Sequence, residues 1–244
     1  MSFEKVYNHP AYVLHIRPYK NTSVLVDLLT KDFGRFTLIA KGIKQAKSQL
    51  KSALQLFQCL SISWHRKSEL GILIAAEHKN DINQFSGKSL YLGLYANELI
   101  NRIVPINDNL PEVYECYSEF LFKLQHPYQE FQVLREFEMQ LLKVLGYEIS
   151  LRTEVNNNRQ ILPEKTYQFI PEHGFTQIEN DSSKKICFKG EHILAFASGD
   201  YTNPAVLKTA KYITQSSLQV LIGDSRLESR ELYKAHQKNL QKEK

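Results

Sequence analysis

No run of roughly 18 apolar residues, the length a helix needs to cross the hydrocarbon core of a bilayer, occurs anywhere in the 244-residue sequence. A membrane-spanning role is therefore not expected. The opening MSFEKVYNHP also lacks the basic-then-apolar layout of a secretory signal, so the expected location is cytoplasmic. Cysteine is scarce: Cys59, Cys116 and Cys187 stand far apart, which excludes a disulfide framework or a zinc ribbon and leaves three reduced core residues as the expectation. Also missing are a Walker loop, a Gly-rich dinucleotide turn, a Gly-x-Ser-x-Gly elbow and a His-Glu-x-x-His pair. The histidines are scattered singly, and the one close pair, Cys187 and His192, has no companions to complete a metal or nucleophile site. No catalytic residue, metal ligand or cofactor is expected, and the chain reads as a non-enzyme.

Charge is present, and it is unevenly spread. The net charge is +5, yet residues 1–80 hold 12 Lys and Arg against 5 Asp and Glu, while residues 81–244 hold 19 against 21. The whole excess lies in the first third. Basicity confined to one region points to a polyanion partner there, where evenly spread basicity would speak only of solubility.

That first third alternates as β-structure does. Tyr12, Leu14 and Ile16 share one face of a strand over Ala11–Arg17, with Val13, His15 and Arg17 on the other. Ser23–Thr30 places Val24, Val26 and Leu28 inward and leaves Ser23, Asp27 and Thr30 outside. Lys31-Asp32-Phe33-Gly34 predicts a hairpin connection in which Gly34 supplies a positive φ. Arg35–Lys41 alternates again, with Phe36, Leu38 and Ala40 inward and Arg35, Thr37 and Lys41 outward. Lys44, Lys47 and Lys51 follow on a short helix or basic loop. Leu60–His65 and Gly71–His78 are the remaining strands, the latter with Ile72, Ile74 and Ala76 on one face. Five short strands, with a longer non-strand segment between the third and fourth, match an OB barrel.

From Ser89 onward the period becomes helical. Leu90, Leu94, Leu99 and Ile103 mark a helix ended by Pro105, and Pro111 opens a second with Val113, Tyr117, Phe120, Leu121 and Leu124 as its stripe. The third carries Leu134, Phe137, Leu141 and Leu145 and ends at Gly146, an αL cap position. A small hairpin is expected over Tyr167–Ile170 and Phe175–Ile178, followed by helices at Glu191–Ala197 and Pro204–Ile222. A polar tail from Ala235 is expected to fray. The predicted class is α+β: a five-stranded OB barrel over residues 1–80, then a mostly helical domain over 81–244 with a hairpin insertion near 151–180.

The candidate chemistry is a basic barrel with Tyr19, Phe33 and Trp64 near strand ends or loops. Cations track phosphates and aromatic faces stack bases, which is how proteins hold single-stranded nucleic acid. The candidate contacts are Arg17, Lys20, Arg35, Lys41, Lys44, Lys47, Lys51, Trp64, Arg66 and Lys67. An RNA- or ribosome-associated OB-fold adaptor is the alternative.

The ordered segments AYVLHIRPYKNTSVLVDLLT, GRFTLIAKGIKQAKSQLKSALQLF, YANELINRIV, VLREFEMQLLKVLGY and SRELY, with Trp64 in a strand between the second and third, resemble the bacterial RecO family of DNA repair and recombination mediators across nearly the whole chain. The resemblance implies an N-terminal OB fold and a helical C-terminal domain. It further implies binding to single- and double-stranded DNA, strand annealing, and cooperation with RecR in loading RecA onto DNA coated by single-stranded DNA-binding protein, hence a nucleoid-associated location. It implies too that the acidic C-terminal tail of single-stranded DNA-binding protein docks on the helical domain at Leu134, Arg135 and Phe137; an ion pair of Arg135 with Glu136 or Glu138, the latter favoured by its i+3 helical spacing, is the competing arrangement. Many members carry a four-cysteine zinc site after the Leu-Gly-Tyr segment; Thr153–Asn158 and the hairpin beyond it hold no cysteine, so zinc is not carried over.

Overall fold

The computed structural model describes residues 4–43, 45, 48–67, 70–79, 84–126, 129–178 and 186–242. Its residues form two compact units, one of residues 1–127 with 226–244 and the other of residues 128–225.

The first unit is built on strands β1 (Glu4–Tyr19), β2 (Ser23–Thr30), β3 (Gly34–Ala40), β4 (Cys59–Arg66) and β5 (Gly71–His78). They close a barrel in the order β1-β2-β3-β5-β4, with β3 and β5 parallel and the other pairs antiparallel, the OB arrangement. Its interior is a row of small and branched residues from every strand, Val13, Val26, Leu38, Ile62 and Leu73 among them, and a short helix α1 (Gln49–Ala53) adds Ala53.

Two bulges change which residues face inward. Val13 pairs with Leu28 and His15 with Asp27, so Leu14 is an extra residue in β1. Alternation therefore slips: Ala11 and Val13 line the core and Ile16 packs beside it, while Tyr12 and Leu14 point outward. The expected row of Tyr12, Leu14 and Ile16 is split between faces. In β5 the extra residue is Ile74, because Ser63 pairs with Ala75 and Trp64 with Leu73. Leu73 and Ala76 are buried and Ile74 is exposed, so the expected face of Ile72, Ile74 and Ala76 is split. Strand β2 is buried on both sides, so Ser23, Asp27 and Thr30 are enclosed with the apolar row.

The outer wall exists because helices cover it. Helices α2 (Gly87–Ile103) and α3 (Pro111–Leu124) lie against β1 and β2, and Tyr12 packs on Tyr114 and Tyr117 at 5.2 and 5.1 Å between ring centres. The buried face of α2 is Leu92, Tyr95, Ala96, Leu99 and Ile100, a row rotated from the expected Leu90, Leu94, Leu99 and Ile103. The bulged Leu14 leaves its carbonyl without a strand partner on this wall. Asn97, 3% exposed, donates Nδ2 to that oxygen at 2.9 Å, and the Tyr117 hydroxyl donates to Asn97 Oδ1. Every polar group in that stack is satisfied.

Gly34 meets two demands at once. Its φ is +66°, and a Cβ there would lie 1.9 Å from the Asp108 carbonyl oxygen in the α2–α3 connection. That connection is pinned to β3 by the Asn107 N–H, which donates to the Arg35 carbonyl at 2.8 Å.

The polar tail is helical, contrary to the fraying expected from Ala235. It is α7 (Glu228–Lys242), which packs on α2 with Tyr91 stacked on His236 at 4.9 Å. Its N-terminus is capped from a distance: the Glu98 carboxylate accepts from the Glu228 and Ser229 N–H groups, both at 2.9 Å, and from the Ser229 hydroxyl at 2.6 Å. Burial pushes the Glu98 carboxyl up, but those hydrogen bonds and Arg102 outweigh it and hold the group below the ordinary carboxylate range.

The second unit holds α4 (Glu130–Val144), strands β6 (Thr166–Ile170), β7 (Gly174–Gln177) and β8 (Cys187–Lys189), α5 (Gly190–Ala197) and α6 (Pro204–Ile222). The expected hairpin gains β8 on its other edge, giving the sheet order β7-β6-β8. Tyr167, Phe169, Phe175 and Phe188 from the sheet pack with Ile193 and Phe196 of α5 and Val206, Ala210 and Ile213 of α6. Helix α4 packs on α6 and carries a buried charge pair: Arg135 Nη1 lies 2.8 Å from Glu138 Oε2, with side chains 3% and 0% exposed. Thr214 of α6 closes the set, accepting from Arg135 at 3.1 Å and donating its hydroxyl to Glu138.

Two predictions follow from these buried polar groups. Asn97→Leu strands the Leu14 carbonyl and the Tyr117 hydroxyl in an apolar wall, and should lower stability to urea by about 2–4 kcal/mol; adding Tyr117→Phe should recover part of that loss. Arg135→Ala should cost about 3–5 kcal/mol by taking the guanidinium from a buried Glu138, whereas Arg135→Met with Glu138→Leu should be close to neutral. Urea unfolding monitored by circular dichroism reads both.

Candidate nucleic-acid interface

The register of the barrel decides which cations come together. Strand β2 begins where β1 and β3 end, because Tyr19 pairs with Ser23 and Val24 with Ala40. Lys20, in the turn between β1 and β2, and Lys41, directly after β3, therefore stand at the same end of the barrel. Lys20 adopts φ +52° and its Nζ lies 5.3 Å from the centre of the Tyr19 ring. Arg17 lies two residues from the end of β1. Lys51 joins from α1, whose Ser52 carbonyl lies 3.3 Å from His78 Nε2 at the end of β5, on the side toward which β3 also runs.

Lys20, Lys41 and Lys51 are exposed. Arg17 is tied to an enclosed carboxylate: its Nη1 lies 3.2 Å from Asp27 Oδ2, with His15 Nδ1 at 3.6 Å and the Thr37 hydroxyl on the other oxygen. Half of the Arg17 side chain remains open, so it keeps donors for a second partner. Lys44 and Lys47 lie outside the described residues.

The other candidate cations sit at the opposite end, where β3 begins and β4 ends. Arg35 is only partly exposed; its Nε donates to the Val104 carbonyl at 3.0 Å, and burial lowers its pKa against the opposing pull of Asp27. Arg66 donates to Asn107 Oδ1 at 2.9 Å and lies 5.8 Å from the Phe36 ring centre. Both guanidiniums are engaged by the α2–α3 connection or the barrel wall, while Lys67 is exposed. Among the described residues, the structure thus divides the expected contacts instead of gathering them.

Trp64 is a correction. Its side chain is 1% exposed and packs against His9, Phe33 and Phe36 with ring centres 5.1–5.8 Å apart, so it offers no face to a base. Its alternation places it inside, and closure of the barrel buries it. An exposed aromatic on the barrel is Tyr7, 61% exposed on β1 and 6.4 Å from the His65 ring. It escaped the sequence reading because β1 begins at Glu4, before the predicted Ala11, and the segment around Asn8 is irregular with φ +54°.

Arg135 is a second correction. The expected pocket cation is enclosed in its pair with Glu138, and Leu134 and Phe137 are 4% and 3% exposed, so all three belong to the interior of the second unit. The i+3 ion pair, the competing arrangement, is the one present. Of the cysteines, Cys116 is buried, which pushes its thiol up to about 12, and Cys59 is partly buried; Cys187 is exposed, against the expectation of three core thiols. Among the described residues no group of three or more His, Cys, Asp or Glu is placed to hold a metal ion, and no helix is long and apolar enough to cross a membrane.

Comparison with known proteins agrees with this architecture. The family model for the recombination protein O N terminal matches residues 1–80, and that for the recombination protein O C terminal matches residues 84–231. The DNA repair protein RecO of Cellvibrio japonicus is 36% identical over 224 residues, covering 92% of this chain and 95% of that protein. That of Actinobacillus pleuropneumoniae serotype 7 is 36% identical over 230 residues, covering 93% and 94%. That of Polynucleobacter necessarius is 34% identical over 239 residues, covering 95% and 97%. With both halves matched and such relatives aligned along nearly the full length, the chain belongs to the RecO family of DNA repair and recombination proteins.

Proposed function

We propose that the chain is a non-enzymatic recombination mediator that binds single- and double-stranded DNA through the cationic end of its barrel and anneals complementary strands. With RecR it promotes loading of RecA on DNA coated by single-stranded DNA-binding protein, whose C-terminal tail is a further partner. The observation that carries the DNA-binding part is the convergence of Arg17, Lys20, Lys41 and Lys51 on one end of the barrel, in the third of the sequence that holds the whole excess of positive charge. Lys44 and Lys47 belong to the same basic stretch of the sequence. The roles of RecR, RecA and the tail rest on family membership.

The chemistry needed is modest. Lysines on a barrel end neutralise phosphates without reading bases, so binding is nearly blind to sequence. A strand whose charge is neutralised repels its complement less, which brings two polyanions together without nucleotide hydrolysis. Tyr7 supplies an exposed aromatic face on β1, near His65, against which an unpaired base can stack. Arg35 acts here as a structural tether to Val104 more than as a phosphate contact.

Fluorescence anisotropy with a labelled single strand over a salt series tests this. For about four phosphate contacts, log K against log salt should slope by roughly −3, and Lys20→Ala with Lys41→Ala should bring it to roughly −1.4. An RNA of the same sequence tests the adaptor alternative, and annealing of complementary oligonucleotides should proceed without ATP. A slope near zero, or one that the double substitution leaves unchanged, would remove the barrel end from the interface.

A further inference from the structure

A cavity of about 480 Å³ opens in the second unit, between the chain that leaves α4, the loop around Glu154, the β6–β7 turn and Ser217 of α6. The volume is within the range of small-ligand pockets. Its acidic lining is Glu148, Glu154 and Glu172, with His173 and Tyr147 beside them, and no Lys or Arg among the described residues lines it. This is opposite in sign to the barrel end.

Glu154 makes the cavity more than an acidic patch. It is 7% exposed, and its carboxylate accepts one long hydrogen bond, from the Gln177 N–H to Oε2 at 3.4 Å. Oε1 has no hydrogen-bond partner among the described residues. The side chain is thus held largely inside the fold while its unused acceptor capacity belongs to a residue that lines the cavity, where a donor entering it can be met. Glu148 is different: it lies at the rim, exposed, with Lys143 Nζ 3.1 Å away.

The walls are set before any ligand arrives. Glu172 sits at φ +63° and Gly174 at +115° in the β6–β7 turn, and a Cβ on Gly174 would come within 2.7 Å of Val155 Cγ2, so the turn is fitted tightly to the facing loop. The Val155 N–H donates to the Phe175 carbonyl at 3.0 Å and locks the two together. Tyr147 and Val155 add apolar surface beside the carboxylates.

We propose that this cavity receives a Lys or Arg side chain presented by a basic segment of a partner protein. An ammonium or guanidinium carries donors and no acceptor, so it answers the open Glu154 oxygen, and its methylene stem lies along Tyr147 and Val155. A nucleic-acid backbone is repelled by the same lining. The inference stands independently of DNA binding at the barrel.

The test uses the full chain and a fluorescein-labelled, end-capped hexapeptide carrying one Arg beside one Leu, with a matched peptide in which citrulline replaces Arg. Saturable binding of the Arg peptide, at least about tenfold tighter than that of the citrulline peptide, is expected, as is a loss of about tenfold or more in Glu154→Gln. Glu148→Gln should change affinity by no more than about threefold, as befits an exposed rim charge. Thermal melting checks that Glu154→Gln is folded. Should it not be, Val155→Trp, at an exposed position on the cavity wall, obstructs the cavity without altering the carboxylate and should abolish binding. Equal affinity for the two peptides, no binding of either, or full binding by a folded Glu154→Gln would overturn the proposal. Displacement of the peptide by spermidine at concentrations below the peptide's own Kd would also overturn it, assigning the cavity to a free polyamine.

Discussion

Strand β2 and the Ala11–Leu14 segment of β1 are buried on both faces, and one hydrogen-bonded stack makes that possible. The bulge at Leu14 gives β1 the bend a small closed barrel requires, at the cost of a carbonyl with no strand partner on a face covered by helices. Asn97 takes that carbonyl and is itself held by Tyr117, so a residue from α2 and one from α3 are joined to the irregular point of the barrel. With the bend in place, Ala11, Val13 and Ile16 face or flank the core, and Tyr12 and Leu14 become the floor on which the helices rest. The barrel and its covering helices are therefore one packing problem, in keeping with a compact unit that runs past residue 80 and takes in α2, α3 and α7.

The same closure sorts the cations. At the end where β3 begins, the α2–α3 connection approaches within contact of Gly34, draws in the Arg35 guanidinium and engages Arg66. These arginines are part of the architecture, Arg35 being tied to the Val104 carbonyl and Arg66 to Asn107. At the other end, Lys20, Lys41 and Lys51 are exposed, and Lys41 and Lys51 carry no ion-pair partner among the described residues. Exposed lysines cost little to maintain and retain full freedom to meet phosphate, which makes that end the better surface for a mobile polyanion. The second unit follows the same division, enclosing Arg135 with Glu138 while leaving Glu154 with unused capacity beside a cavity.

Much of this order is legible in the sequence, since local signals fix local structure. Strands β2 and β5 and helices α3 and α6 begin where Ser23, Gly71, Pro111 and Pro204 announce them, and Gly34 and Gly146 take the positive φ their positions predict. The family resemblance is legible as well, from ordered segments in both halves. What periodicity cannot reveal is an inserted residue: one bulge at Leu14 and another at Ile74 invert the facing of half a strand each. Nor does it distinguish a cation at the border of an apolar stripe from one enclosed by a partner helix, which is why Arg135 reads as a surface group until Thr214 of α6 is placed against it. Trp64 fails in the same way, because basic neighbours in sequence are not neighbours across a barrel wall. The charged stretch from Ala235 looks unable to hold a helix alone; contacts of Tyr91 with Tyr233 and His236, and the Glu98 cap, supply what its composition lacks.

The most direct measurement is hydrogen–deuterium exchange of the full chain with and without a single-stranded oligonucleotide, at a salt concentration low enough for saturation. If the Lys20, Lys41 and Lys51 end carries the DNA, exchange should slow in the β1–β2 turn and from the end of β3 through α1, and stay unchanged at Val104–Asp108, where Arg35 is tethered. Protection confined to the Val104–Asp108 connection or to the second unit, with none at the β1–β2 turn, would contradict it.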